Sequence, residues 1–302
     1  MTPALLQFNA LTVDVEDYFH ASAFADLVPR EAWDRQPSRV EQNTKKVLDL
    51  LAEFGLRGTF FVLGWVARRY PSLVRQIREA GHDLGCHSYA HRLIYGLSAK
   101  EFRDDTRQAT AAIEDAAGAA VHAYRAPAFS ITSRSLWALE ILLELGFTVD
   151  SSIFPTRNHV YGIANAPHRP FRIRIQGSEL MEFPLPALKL GSWGMPVTGG
   201  AYLRLFPYGL QYWGLKRMES RGEPVVLYFH PWELDPEQPR LPGRWTSLLR
   251  HYRNLDGMQE RLSELLQGGT FVTLADLLRH QLARGPLPAR PIVSSKGSSD
   301  GT

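Results

Sequence analysis

Through the first half of the chain, short apolar runs alternate with segments of helical spacing, and most of the apolar runs close on a residue capable of chemistry. Residues 10–15, 58–63, 83–87, 121–125 and 147–151 read as buried strands. Between them, residues 41–54, 65–80, 98–117 and 133–145 carry apolar side chains at helical intervals. This alternation predicts β/α units wound around a parallel sheet or barrel. In such folds chemistry collects where parallel strands end, because side chains and helix N-termini converge there. Asp14, His87, Arg125 and Asp150 all fall at or near predicted strand ends.

Local signals place several boundaries. Gly55 and Gly81 stop the first two helices, and Ser98 with Glu101 forms a capping box for the third. From residue 154 the texture changes to Pro, Gly and aromatics, with strand-like pieces at 171–175 and 180–183. The stretch 154–213 reads as an insertion within one domain spanning 1–284. Residues 208–221 are expected to be helical, 224–230 a strand, 248–266 helical, and 271–274 a closing strand. Beyond residue 285 the Pro/Ser/Gly-rich tail is expected to be disordered. No internal repeat is evident.

Composition excludes some classes. The 302 residues can bury a large core, and a formal charge of +3 is small for that length. Basic residues are interspersed with acidic ones rather than gathered in a stripe, which argues against a nucleic-acid partner. The single cysteine, Cys86, rules out an intramolecular disulfide and is read as a buried structural thiol. The N-terminus lacks a basic segment followed by a continuous apolar one, and no stretch reaches the roughly 20 apolar residues that span a bilayer. The expectation is a cytoplasmic protein, with the inner face of the membrane as a second location.

His87-Ser88-Tyr89-Ala90-His91 places two imidazoles four residues apart, a spacing that lets both point one way from a helical turn or tight loop. Imidazoles bind zinc and similar divalent ions, and a carboxylate commonly completes such a site. Thr12-Val13-Asp14-Val15-Glu16-Asp17 supplies the carboxylates. Further on, Leu227-Tyr228-Phe229-His230-Pro231-Trp232-Glu233 sets a histidine at a strand end, and Arg125-Ala126-Pro127-Ala128-Phe129 an arginine.

With these segments in order, the chain resembles the polysaccharide deacetylases with a NodB-type homology domain. The five motifs of that family have counterparts around Asp14, in His87–His91, Arg125-Ala126-Pro127, Asp150-Ser151-Ser152 and Leu227–His230. Asp-Val-Glu-Asp-Tyr-Phe, Asp-Ser-Ser-Ile-Phe-Pro and Phe-His-Pro-Trp-Glu-Leu are similar to the subgroup found in exopolysaccharide loci associated with exosortase and PEP-CTERM systems. The resemblance implies a distorted (β/α) barrel with fewer than eight complete units and an elaborated C-terminal half. It also implies hydrolysis of an N-acetyl group on a sugar.

The roles it implies are specific. His87, His91 and a carboxylate would hold one divalent metal, with zinc, cobalt, nickel and iron all suited to that donor set. Asp14 would be the general base and His230 the general acid. Arg125 would orient Asp14, Asp150 would hold or tune His230, and the Ala128 amide would face the oxyanion, with Trp232 shaping the sugar site. The chain departs from the family pattern twice. Adjacent aspartates are replaced by Asp14-Val15, so period-two alternation nominates Glu16 as the ligand, with Asp17 as the fallback. The usual tyrosine after Arg-x-Pro is Ala128, which keeps a backbone donor and loses a ring.

The leading function is a metal-dependent deacetylase acting on an acetylated glycan of a bacterial exopolysaccharide or its precursor, in association with the synthesis machinery. A hydrolase of a small cyclic amide or ureide and an inactive glycan-binding assembly protein are the alternatives. His20, His82 and His122 read as structural or exposed, and Glu233 either as part of the sugar site or as a surface carboxylate. The aromatics Trp193, Tyr202, Phe206, Tyr208, Tyr212 and Trp213 serve either as sugar platforms or as core.

Overall fold

The computed structural model describes residues 7–291 except 157, 159, 160, 191 and 192. In chain order the elements are β1 (Phe8–Val15), α1 (Val40–Glu53), β2 (Thr59–Val62), α2 (Gly64–Arg69), α3 (Pro71–Glu79), β3 (Asp83–Cys86), α4 (Ala99–Ala117), β4 (Ala123–Tyr124), α5 (Trp137–Glu144) and β5 (Val149–Asp150). The second half adds the hairpin β6 (Phe171–Ile175) and β7 (Ser178–Glu182), the hairpin β8 (Ala187–Leu190) and β9 (Trp193–Pro196), then α6 (Ala201–Leu205) and α7 (Tyr208–Glu219). It ends with β10 (Val226–Phe229), α8 (Trp245–Tyr252), α9 (Met258–Gly268), β11 (Thr270–Val272), α10 (Leu274–Arg284) and β12 (Ala289–Pro291).

The main sheet runs β10-β1-β2-β3-β4-β5-β7-β6-β12, with β11 paired to the start of β1. All its pairings are parallel except the β6–β7 hairpin. The path does not close on itself, so the α/β architecture is a distorted, open barrel with fewer than eight units.

Alternation along the strands sorts the residues between two faces. In β1, Leu11, Val13 and Val15 join the large cluster under the helices, while Ala10 joins a smaller inner cluster. Thr12, Asp14 and Glu16 share the parity of Ala10. In β2, Phe60 and Val62 face the helices and Phe61 faces inward; in β10, Leu227 and Phe229 face the helices, and Val226 and Tyr228 inward. Gly85 of β3 also points inward, where a Cβ would stand 2.5 Å from the Phe61 ring. The inner face thus receives Asp14, His87, Arg125 and His230, each at or just past the end of its strand.

Three expectations need correction, and one further element is added. The helix expected over 65–80 is two, because Pro71 cannot continue α2 and instead starts α3 at its first turn. The helical stretch 248–266 breaks at Arg253, whose extended backbone ends α8 before α9 begins. α10 follows β11 with a Thr273 cap that the sequence reading did not assign. The chain past residue 285 is not wholly disordered: β12 pairs with β6 through Ala289–Pro291, and residues 292–302 lie outside the described residues. Other elements agree, including the Ser98–Glu101 capping box and buried Cys86, whose thiol burial pushes up to about 12.

α2 can approach α4 only because residue 64 lacks a side chain. A Cβ there would lie 2.6 Å from the Ala109 Cα and 2.6 Å from the Tyr89 ring. Gly64→Ala is expected to cost about 1–3 kcal/mol through overpacking, read as a lowered urea midpoint with unchanged far-ultraviolet circular dichroism.

Candidate active site

β3 ends at Cys86, and the backbone turns sharply through Ser88 and His91, both at positive φ (64° and 49°). Such conformations are costly for residues with side chains and need outside support. The Ser88 hydroxyl accepts from the His91 amide (3.1 Å), and Asp105 of α4 accepts from the Tyr89 amide (2.8 Å). This tight loop, rather than a helix, brings the two imidazoles together. His87 Nε2 and His91 Nε2 lie 2.9 and 3.0 Å from the same Glu16 oxygen. All three residues are buried, and among the described residues they form the one His/Cys/Asp/Glu group close enough to share a metal ion.

The donor chemistry fits a cation. His87 Nδ1 stands 2.8 Å from the Arg125 carbonyl, which can only accept, so Nδ1 carries the ring proton. Nε2 can then donate to the Glu16 oxygen only as part of a doubly protonated ring; without that proton its lone pair and the carboxylate oxygen would both face a cation held between them. Burial pushes the Glu16 carboxyl up, but the charge and hydrogen bonds of His91 and His87 outweigh it and hold it well below the usual carboxylate range.

Asp17 is no ligand candidate. Its Oδ1 accepts from the Tyr18 amide (3.0 Å), and its Oδ2 from the Ser38 hydroxyl and the Arg39 and Val40 amides (2.6, 2.8 and 3.1 Å). It caps the turn after β1 and ties it to the start of α1.

Beside the triad, Arg125 is fully buried and spans three strands. Nη1 donates to Thr12 Oγ1 and Asp14 Oδ1, both at 2.8 Å; Nε donates to the Ser151 carbonyl and Nη2 to its hydroxyl. The guanidinium carbon sits 4.3 Å from the Phe61 ring centre. The other Asp14 oxygen is 4.0 Å from His230 Nε2. His230 Nδ1 in turn is 3.0 Å from Glu233 Oε2, and Glu233 Oε1 accepts from Arg204 Nε at 2.7 Å. Burial works against a charged His230, but the Glu233 hydrogen bond and the charges of Glu16, Glu233 and Asp14 raise it to about 9. Glu233 is held down to about 2, where the Arg204 charge overcomes burial.

Asp150, expected to hold His230, is elsewhere. Val149 belongs to the inner cluster and Ser151 reaches Arg125, so alternation turns Asp150 to the helix side of β5. There it accepts from the Ser152 hydroxyl at 2.6 Å and pairs with Glu182, and burial raises it to about 6. Ser152 Oγ also accepts from the Ala126 amide, so Asp150 supports the turn carrying Ala128 rather than His230.

Asp14, Glu16, His87, His91, Ala128, His230 and Trp232 all line one cavity of about 290 Å³. Ala128 reaches its wall through left-handed backbone at φ 48°. Trp232 stacks between His230 and His251, at 5.2 and 4.1 Å between ring centres. Tyr161 lines the cavity, and its hydroxyl meets that of Tyr202 at 2.6 Å. Tyr208 and Tyr212 stack on each other along α7, Trp213 is exposed, and the side chain of Trp193 lies outside the described residues. His20 and His82 each accept a backbone amide, from Asp17 and Gly58.

Two residues of this site were missed or misread in the sequence. Glu233 is completely buried rather than a surface carboxylate, and its position three residues after His230 was the available signal. Arg204 offered none, because it lies 29 residues from the glutamate it holds.

Residues 32–149 match the family model described as polysaccharide deacetylase, and residues 151–279 match a domain of unknown function, DUF3473. Over residues 32–149 the chain is thus similar to the polysaccharide deacetylases. Its Asp14 and Glu16 precede the matched segment, and His230, Glu233 and Arg204 come from the second match, so the site is composite. A peptidoglycan-N-acetylglucosamine deacetylase of Bacillus cereus is 33% identical over 98 residues, 32% of this chain and 36% of the relative. The chain thus spans about a third of that relative's length. A crystal structure from Mycobacterium smegmatis, provisionally described as a polysaccharide deacetylase, shares the fold with a TM-score of 0.64 and 21% identity over 97% of both chains. The structure of PuuE allantoinase does so at 0.61 and 13% identity, over 94% of this chain and 93% of the other. No helix among the described residues is long and apolar enough to cross a membrane.

Asp17→Ala leaves three amides and a hydroxyl without their acceptor. It should cost about 2–4 kcal/mol of stability while leaving zinc stoichiometry, measured by elemental analysis, unchanged.

Proposed function

We propose that the chain is a metal-dependent hydrolase removing acetyl groups from N-acetylated sugars of a bacterial exopolysaccharide or its precursor. The observation supporting this most directly is the shared cavity, where a cation-ready triad adjoins a carboxylate and an imidazole 4.0 Å apart, each with its own buried counter-charge. The exopolysaccharide assignment and the link to exosortase loci rest on the wording of the motifs at 14–19 and 229–234. We also read residues 1–284 as one domain, since a continuous sheet path joins the two matched segments directly through β5–β7 and, at the other side, through β1 lying between β2 and β10.

Glu16, His87 and His91 would hold the ion, and zinc suits them, as do cobalt, nickel and iron. When bound, a divalent cation polarises the acetyl carbonyl and acidifies a water. The protein does the rest. Asp14, fixed by Arg125, takes the proton of the attacking water through its oxygen on the His230 side. The Ala128 amide donates to the oxyanion from the opposite chain turn. His230 gives its Nε2 proton to the departing amine, which cannot leave as an anion. Glu233, held by Arg204, keeps that ring oriented and protonated, and Trp232 fixes its plane.

Chelation should abolish acetate release from N-acetylated oligosaccharides, and a divalent metal should restore it. Activity that survives complete metal removal would refute the reading, and turnover of small cyclic amides without acetate release would favour the alternative hydrolase. The acid must be protonated, so activity should fall as pH rises through about 9. In Glu233→Gln the buried imidazole loses its main support, and the alkaline limb of kcat/KM should move down by about one to two pH units. An unmoved limb would exclude His230–Glu233 as the acid couple.

A further inference from the structure

Most cations around the cavity have their charge matched. Arg204 is paired with Glu233, and His230 lies between Glu233 and Asp14. His251 is held neutral, lowered to about 3 chiefly by burial. Arg250 differs. It lines the same cavity from α8, is solvent-exposed, and forms no ion pair among the described residues. Its guanidinium neighbours phenols: it counters part of the upward push that burial gives the Tyr161 hydroxyl, and it lies 6.0 Å from the Tyr202 ring centre. The chain stretch that carries it is one-signed: between residues 240 and 253 stand Arg240, Arg244, Arg250 and Arg253, all exposed, and no aspartate or glutamate.

An unmatched guanidinium beside two tyrosine hydroxyls and an aromatic wall offers a charge-assisted fork for a carboxylate and neutral donors for sugar hydroxyls. A neutral glycan would leave that charge facing the sugar with no partner. We propose that Arg250 recognises a carboxylate on the sugar bound in the cavity or next to it, so that the substrate is an acidic, uronate-bearing N-acetylated glycan. This rests on the deacetylase reading above and names its substrate class. The exposed arginines at 240, 244 and 253 then serve as a steering field along which an anionic polymer reaches the site.

The test compares tetra-N-acetylchitotetraose with the same oligosaccharide oxidised to carboxylates at C6, measuring acetate release by the metal-loaded full-length protein. The expected result is a wild-type kcat/KM about three- to tenfold higher on the carboxylated form, the range for a partly exposed charge-assisted contact. That preference should shrink as salt rises. Arg250→Gln should lose the preference by acting mainly on the carboxylated substrate, and Arg250→Lys should recover part of it. Equal wild-type rates on the two glycans, or a preference unchanged in Arg250→Gln, would overturn the inference and leave the deacetylase reading standing. Release from neither would remove both. Equal rates together with Arg250-dependent sedimentation on anionic phospholipid vesicles would assign the arginine rim to a membrane surface and likewise overturn it.

Discussion

The site is organised by one desolvated guanidinium. Arg125 has no exposed surface, and burying such a charge is expensive unless every side of it is met. Here Asp14 supplies the opposite charge, Thr12 and Ser151 the remaining acceptors, and Phe61 a ring face. Those partners sit on β1, at the end of β5 and on β2, so a single side chain fixes the relative positions of three strands. Its own backbone carbonyl sets the His87 tautomer, and its amide bonds to Cys86. The same residue therefore fixes the Asp14 carboxylate and orients one metal-ready imidazole. Removing it would leave Asp14 buried without a counter-charge, a more severe loss than that of a surface ion pair.

The opposite wall depends on a second buried pair, Arg204–Glu233, which does for His230 what Arg125 does for Asp14. The two pairs come from different parts of the chain: Arg125 lies in the segment matching polysaccharide deacetylase and Asp14 precedes it, whereas Arg204 and Glu233 both lie in the segment matching a domain of unknown function. The second segment is thus not an appendage to a finished site. It contributes the imidazole, its carboxylate support and the tryptophan between His230 and His251. The carboxylate that contacts His230 is Glu233, three residues beyond the histidine itself, and not Asp150 of the fourth motif.

Much of this was legible beforehand. The alternation of strands and helices gave the β/α architecture, and the strand-end positions of Asp14, His87, Arg125 and His230 marked the face that would carry chemistry. Period-two parity put Glu16 beside Asp14, and the structure places it against both imidazoles. The same parity, carried to residues 149–151, assigns Val149 and Ser151 to the inner face and Asp150 to the outer; motif order suggested otherwise. Pro71 carried the signal for the break between α2 and α3, which the expectation of a single helix over 65–80 passed over, since a proline is tolerated in a first helical turn and not in an interior.

What the sequence determined by itself was local and periodic: which residues are strands, which face each side chain takes, and which residue types stand at strand ends. Steric alternation and hydrophobic spacing act over a few residues, so they can be read without coordinates. The tertiary structure decided which buried charges meet. Arg204 finds Glu233 across 29 residues and Asp14 finds Arg125 across 111, because desolvated charges must be paired and only the folded chain shows which partners are within reach.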